Sequence, residues 1–391
     1  MNENANPASS APVTSQLDDP FKNWPNSDLL IEEEDRAFFA RHYPAFASIF
    51  DWPELRSLFV MYDAAAAKAL KHSRRSGIFA VVSGFLSLTV AASVPLADEL
   101  STRSAMAPLH TQAVLGGIAA ALAIVSMLIG YTQVLTGKGK AQWLTNRFWT
   151  ERTRQFHFQL IVNHLPAIVA AVKSKSDMQD WHNFRARELD QFKHDYLRGV
   201  DDKIHHLDVD EAEDRPWLSV EWDRPGPVPP TSAEFDELLK LLEQQRFGIQ
   251  QRYAERKLLS GWHSPESRAQ WVLKLSDALT AVLLLATIAV GVGSLIALMA
   301  EANPLFRLIA GLIAALSSSS VVAMRALKEG LLFSADAERY KWYLAAVRNL
   351  YRRYEHADLP QRVVLLRELE HVAYQEMRRF ILSGSQARFV M

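Results

Sequence analysis

The chain contains no cysteine. That excludes a disulfide framework, a thiolate zinc site, a cysteine-bound iron–sulfur cluster and a cysteine nucleophile, and it leaves the redox compartment unmarked. Charge of one sign is equally lacking: 43 Lys plus Arg face 44 Asp plus Glu, a formal net charge of −1 over 391 residues. No global field draws the protein to nucleic acid, and no nucleic-acid partner is expected. Strand-like alternation, a phosphate-cradling glycine loop, a nucleophile elbow and a His-Glu-x-x-His motif are all missing. His157 with His164, and His205 beside His206, read as ordinary histidines rather than a metal set. The acidic run Asp208 to Asp214 lacks the glycine and spacing of a calcium loop. The expectation is a protein that is not an enzyme, with no cofactor and no metal.

What is present is segregated hydrophobicity, hidden by a mean hydropathy of −0.06. Four runs without Asp, Glu, Lys or Arg stand out: Gly77 to Leu96, Ala113 to Leu135, Ala278 to Ala300 and Leu308 to Met324. The first three have 20, 23 and 23 residues, enough for a hydrocarbon core of about 30 Å at roughly 1.5 Å per residue. The fourth has 17, between Arg307 and Arg325, whose long stems can snorkel to the interfaces. The fold expected is all-α and integral to a membrane, with four transmembrane helices arranged as two hairpins plus cytosolic amphipathic helices.

Flanking charge sets the orientation. Lys68, Lys71, Arg74 and Arg75 precede the first run and Lys138, Lys140, Arg147, Arg152 and Arg154 follow the second, while the loop between carries Arg103 with Asp98 and Glu99. Arg268 and Lys274, then Arg325, Lys328, Arg339 and Lys341, repeat the asymmetry around the second pair. Both hairpins are therefore expected to enter from the cytoplasm of a cell inner membrane, with N- and C-termini cytoplasmic. Residues 1–50 read as a mobile N-terminal tail, their first 26 rich in Asn, Pro, Ser and Ala. With no cleavable signal expected, the first span serves as its own insertion signal. Residues 51–200 form a first two-span unit with a cytosolic helix, 201–230 an acidic and Pro-rich connector, and 231–391 a second two-span unit with a cytosolic tail.

The cytosolic segments carry helical periodicity. Tyr340, Tyr343, Leu344, Val347, Leu350, Tyr351 and Tyr354 make one stripe, in a helix expected to continue the fourth span until Pro360 breaks it. Val363, Leu366, Leu369, Ala373, Met377 and Phe380 mark a further helix. Phe148 to Val172 predicts a helix that kinks or stops near Pro166, and Thr231 to Leu259 a helix opened by a Thr/Ser cap.

Small residues crowd the spans, with Gly116 in the second and Gly291 and Gly293 in the third, where they allow helices to approach closely. Ser317, Ser318, Ser319 and Ser320 form a polar belt in the fourth. At about 100° per residue they cannot share one face, and either helix packing or pore lining accounts for them. The absence of ionisable groups from all four runs argues against a proton- or ion-coupled transporter.

Basic and aromatic residues cluster beyond the spans: Trp143, Arg147, Arg152 and Arg154 after the second, Arg339, Trp342 and Arg348 after the fourth. They form either a site for an anionic ligand or partner or, the plainer reading, an interfacial girdle and a solvated helix face. The lead-in Lys68-Ala69-Leu70-Lys71-His72-Ser73-Arg74-Arg75, the apolar hairpin and the helix with Trp143, Arg147, Glu151 and Arg154 resemble the SLATT group of bacterial membrane proteins, the two-transmembrane effectors that associate with SMODS and SLOG proteins. Ala337-Glu338-Arg339-Tyr340-Lys341-Trp342 and Arg348 repeat the layout, so the resemblance is to two units in tandem. It implies a homo-oligomeric effector in the bilayer that forms pores or disrupts the membrane in an antiviral conflict system, triggered by a nucleotide second messenger or a sensor protein. The alternative is a membrane-anchored cytosolic scaffold or sensor that does not conduct.

Overall fold

The computed structural model describes residues 27–103, 108–131, 138–197, 228–259, 265–300 and 304–386, and every regular element among them is a helix. The acidic run, most of the connector, His205 and His206, and the last residues expected in the second span lie outside the described residues.

A short 3-10 turn at Ser27–Leu29 leads to α1 (Glu33–His42) and α2 (Ala47–Phe50). Then come α3 (Pro53–Arg103), α4 (Pro108–Tyr131), α5 (Lys138–Asn163), α6 (Leu165–Lys173) and α7 (Lys175–Leu197). The second half holds α8 (Ala233–Leu242), a π turn (Glu243–Gly248), α9 (Ile249–Leu259), α10 (Pro265–Ala300), α11 (Pro304–Leu331), α12 (Phe333–Glu355) and α13 (Leu359–Gln386).

Four stretches are long and apolar enough to cross a membrane; they fall in α3, α4, α10 and the path from α11 into α12. Together they make an apolar stem. In α3 and α4, Ser87 Oγ donates to the Ala119 carbonyl and Ser126 Oγ to the Ala80 carbonyl, each at 2.8 Å. These pairings place the two helices side by side in opposite directions, joined by hydroxyl-to-carbonyl bonds that keep their worth away from water. Helix α11 packs against both α10 and α3, where Val81, Ala323 and Ala326 are buried. The outer surface is apolar and open: Met127 is 67% exposed and Leu285 66%. A contiguous surface of that kind is costly in water and suits lipid.

The remaining helices form a head with one continuous core. Phe148, Phe156 and Phe158 of α5 are fully buried with Phe192 of α7, Phe235 of α8, Val347 of α12 and Leu369 of α13. Helices α5 and α6 meet at 75° around His164, because Pro166 has no N–H to donate and its ring collides with the carbonyl one turn back. Ser232 caps α8, accepting from the Phe235 amide at 3.2 Å, as its position before the apolar run predicts.

Three expectations are corrected by the head. Residues 27–50, read as part of a mobile tail, are folded into it: Leu29, Leu30, Phe39, Phe46, Ile49 and Phe50 are all buried. Only Phe39 of these lies in α1, and the rest fall in short turns on either side of it, so no continuous apolar stripe marks the segment. The helix after the fourth span is not a simple continuation either, since the chain breaks at Leu332, in the left-handed region with φ 54°. Trp143, Leu144, Phe148 and Trp149 are core residues, so the girdle and solvated-face reading fails for α5.

The left-handed region costs a residue with a Cβ about 1–2 kcal/mol, and a β-branched side chain more. Leu332→Gly is therefore expected to leave thermal stability of the detergent-solubilised chain within about 1 kcal/mol, strain relief offsetting glycine's extra unfolded-state entropy. Leu332→Ile should lower it by about 1–2 kcal/mol. Equal melting temperatures for the two variants would contradict this account of the break.

Candidate functional site

Where the head meets the stem, six helices enclose a cavity of about 410 Å³. Its walls come from α3 (Asp63, Arg74), α5 (Trp143, Arg147, Glu151), α9 (Tyr253, Lys257), α10 (Arg268), α12 (Phe333, Asp336, Arg339) and α13 (Glu376, Phe380). The position follows from chain geometry. Helix α3 is 51 residues long, about 75 Å at roughly 1.5 Å per residue, so it runs from the head core through the stem, with Arg74 just before the apolar stretch. Phe333 and Asp336 follow the break at Leu332 directly.

The wall is an array of opposed charges. Arg147 Nη1 lies 3.2 Å from Asp63 Oδ1, and its other terminal nitrogen pairs with Glu151. Arg339 reaches Asp336 at 3.1 Å and Glu376 at 3.0 Å, with its guanidinium 4.6 Å from the centre of the Phe380 ring. Burial opposes ionisation of Glu151, but Arg147 and Arg154 outweigh it and hold the carboxyl below its usual range. Glu376 goes the other way: burial raises it against the pull of Arg339.

From the cavity the charges continue into the head. Arg154 binds Glu151 at 2.9 Å and Asp28 at 3.2 Å; Arg246 lies 3.4 Å from Asp28 and grips both oxygens of Glu370 at 2.6 and 2.8 Å. The Arg246 guanidinium also sits 4.1 Å from the centre of the Phe158 ring. Burial raises the carboxyls of Asp28 and Glu370 despite these arginines. Three consecutive residues, Gln245, Arg246 and Phe247, are buried here. A regular α-helix spreads three neighbours over about 200°; the wider π turn brings all of them inward.

The sequence-derived candidates separate into groups. Trp143, Arg147 and Arg339 converge on the cavity. Arg154 belongs to the charge array behind it, and Arg152 is fully buried, donating to Gln155 at 2.7 Å. Trp342 is covered by Arg379, 3.7 Å from its ring, and Arg348 forms an exposed pair with Glu255; neither lines the cavity. In the stem Ser317 is buried, Ser318 exposed, and Ser319 donates to the Ala315 carbonyl one turn back at 2.7 Å, while Ser320 is half-buried. Gly116 faces outward with nothing within 4 Å of where a Cβ would lie, so among the described residues it packs against no other helix. Gly293 is half-buried in α10, in the same helix as Gly291.

Residues that sequence reasoning passed over complete the site. Arg74 served as flanking charge and as part of the basic lead-in, Arg268 as flanking charge alone, and Lys257, Asp63 and Glu376 carry no local signal. Arg246 did leave a trace: it stands four residues after Leu242 and three before Ile249, where the stripe calls for an apolar residue. Compared with known proteins, the chain matches no family model, no curated protein and no solved structure.

Proposed function

We propose that the protein is a multi-pass membrane effector of the bacterial inner membrane, in which a cytoplasmic helical head controls whether the stem permeabilises the bilayer. The observation that carries this reading is the shared cavity: α3 and the α11–α12 path belong to stem and head at once, and both contribute charged walls to it. A change of head packing around Arg147 or Arg339 thus acts directly on two stem helices, α3 and α11, with Leu332 as the bend where α11 meets α12. The outward-facing Gly116, Gly117 and Gly311, with open space beside each, suit close approach by a second copy. The two apolar pairs act as hairpins, and the resemblance to the SLATT group favours an antiviral role triggered by a nucleotide second messenger or a sensor protein.

The test is dye release from liposomes holding the full chain, with cyclic dinucleotides and cyclic oligonucleotides added outside to head-out proteoliposomes. Release is expected with an activating nucleotide, and replacement of both hairpins by unrelated ones should abolish growth arrest in cells. Dye retained under every nucleotide, together with growth arrest that survives the replacement, would turn the reading to the non-conducting scaffold.

A further inference from the structure

We propose that the cavity between head and stem is a binding site for a phosphate group, with Arg74, Lys257 and Arg268 as its cationic contacts. The inference deepens the functional reading and rests on its placement of the head in the compartment bordering the inner leaflet; its readout is binding, independent of leakage.

Charge is distributed unevenly around the walls. Five cations face four carboxylates, yet the carboxylates gather around two arginines, Asp63 and Glu151 on Arg147, Asp336 and Glu376 on Arg339. Asp336 also attracts Arg74 and Lys257, but among the described residues no carboxylate lies within ion-pair distance of either, so one acid is shared by three cations. Like charges gathered on a partly dehydrated wall repel one another, and an anion placed between them removes that cost.

Two of the cations are held by aromatic faces. Lys257 Nζ lies 5.6 Å from the centre of the Tyr253 ring and the Arg268 guanidinium 5.7 Å from that of Phe333. Arg74, Lys257 and Arg268 come from three different helices, and Lys257 belongs to no membrane span, so membrane orientation alone does not explain the set. Burial and the neighbouring Arg147 hold the Lys257 ammonium below the usual lysine range against the pull of Asp336, although the residue keeps part of its surface exposed to solvent. A volume of about 410 Å³ falls within the range of small-ligand sites. A phosphate offers oxygens to three cations at once, whereas a carboxylate offers two.

The same chemistry is available from an anionic lipid headgroup or a soluble phosphate ester, and two arms separate them. In the first, the full chain in phosphatidylcholine nanodiscs is titrated calorimetrically with inorganic pyrophosphate and with ATP. In the second, native mass spectrometry counts phosphatidylglycerol retained by the detergent-solubilised chain. Arg74→Gln and Lys257→Gln are each expected to weaken the binding seen in either arm about tenfold, roughly 1.4 kcal/mol, and together about a hundredfold. Lys257→Arg should restore it, with melting temperatures unchanged throughout. Binding in the first arm assigns a soluble ligand and in the second a lipid. No binding in either arm, or binding that the double variant leaves intact, overturns the proposal. Binding without dye release would keep this site and remove the pore reading; dye release without binding would do the reverse.

Discussion

Arg246→Ala should destabilise the head by about 3–5 kcal/mol, the expected result of stranding a buried carboxylate. Arg246 is among the largest fully buried side chains, and its two nitrogens bind both oxygens of Glu370. Truncation leaves Glu370 and Asp28 with less compensation in a site where water cannot replace the lost partner, and it removes the stacking on Phe158. The ion pair itself is not the source of this effect. Arg246→Met combined with Glu370→Met removes both charges at similar volume and should cost far less than the single change, since desolvation of the pair nearly cancels its attraction. Denaturation of the full chain in detergent, followed by tryptophan fluorescence, gives both numbers. A single variant no worse than the double would show that Glu370 finds another partner and that the array is not a cooperative unit.

Acid should unfold the head through His157. Its ring is enclosed by Phe50, Trp52 and Phe158, and neither ring nitrogen has a hydrogen-bond partner among the described residues. Burial, reinforced by Arg185 and Arg246, lowers its pKa from 6.5 to about 3. Between those values the unfolded chain binds a proton that the native chain refuses. Stability therefore falls as pH drops below about 6.5, by up to about 1.4 kcal/mol per unit, and this loss ends near the folded value. His157→Phe removes the contribution. Its stability should match the parent within about 1 kcal/mol at neutral pH and exceed it increasingly toward pH 4. Parallel stability curves for the two proteins across that window would mean that His157 is not held neutral.

Along the chain Arg246 showed only as a charge at an apolar position of its stripe, and the burial of His157 did not show at all. His157 lies in a segment where Arg152, Arg154 and Gln155 are near neighbours, so the local composition reads as a polar helix. In the structure twelve consecutive residues of α5, from Arg152 to Asn163, are buried, because other elements surround this helix on every side. Arg152 and Arg154 likewise suggest solvent or ligand, and their burial depends on partners far away in the chain, Asp28 and Tyr374 among them. Such pairings leave no periodicity to detect.

The apolar runs were decisive without any structure. A stretch of about 20 residues with no charge has one economical environment, and its helical form follows from the need to satisfy every backbone group internally. The breaks near Pro166 and Pro360 and the Ser232 cap were equally readable, since each depends on groups within a turn of the residue concerned. Tertiary structure alone decided that residues 27–50 belong to the head, that Leu332 interrupts the path from stem to head, and that Arg74, Arg147, Lys257, Arg268 and Arg339 face one cavity. The physical reason is range. Hydrophobic length and capping act within a few turns of helix, whereas a charged cavity is the meeting of six helices whose sequence separations carry no pattern.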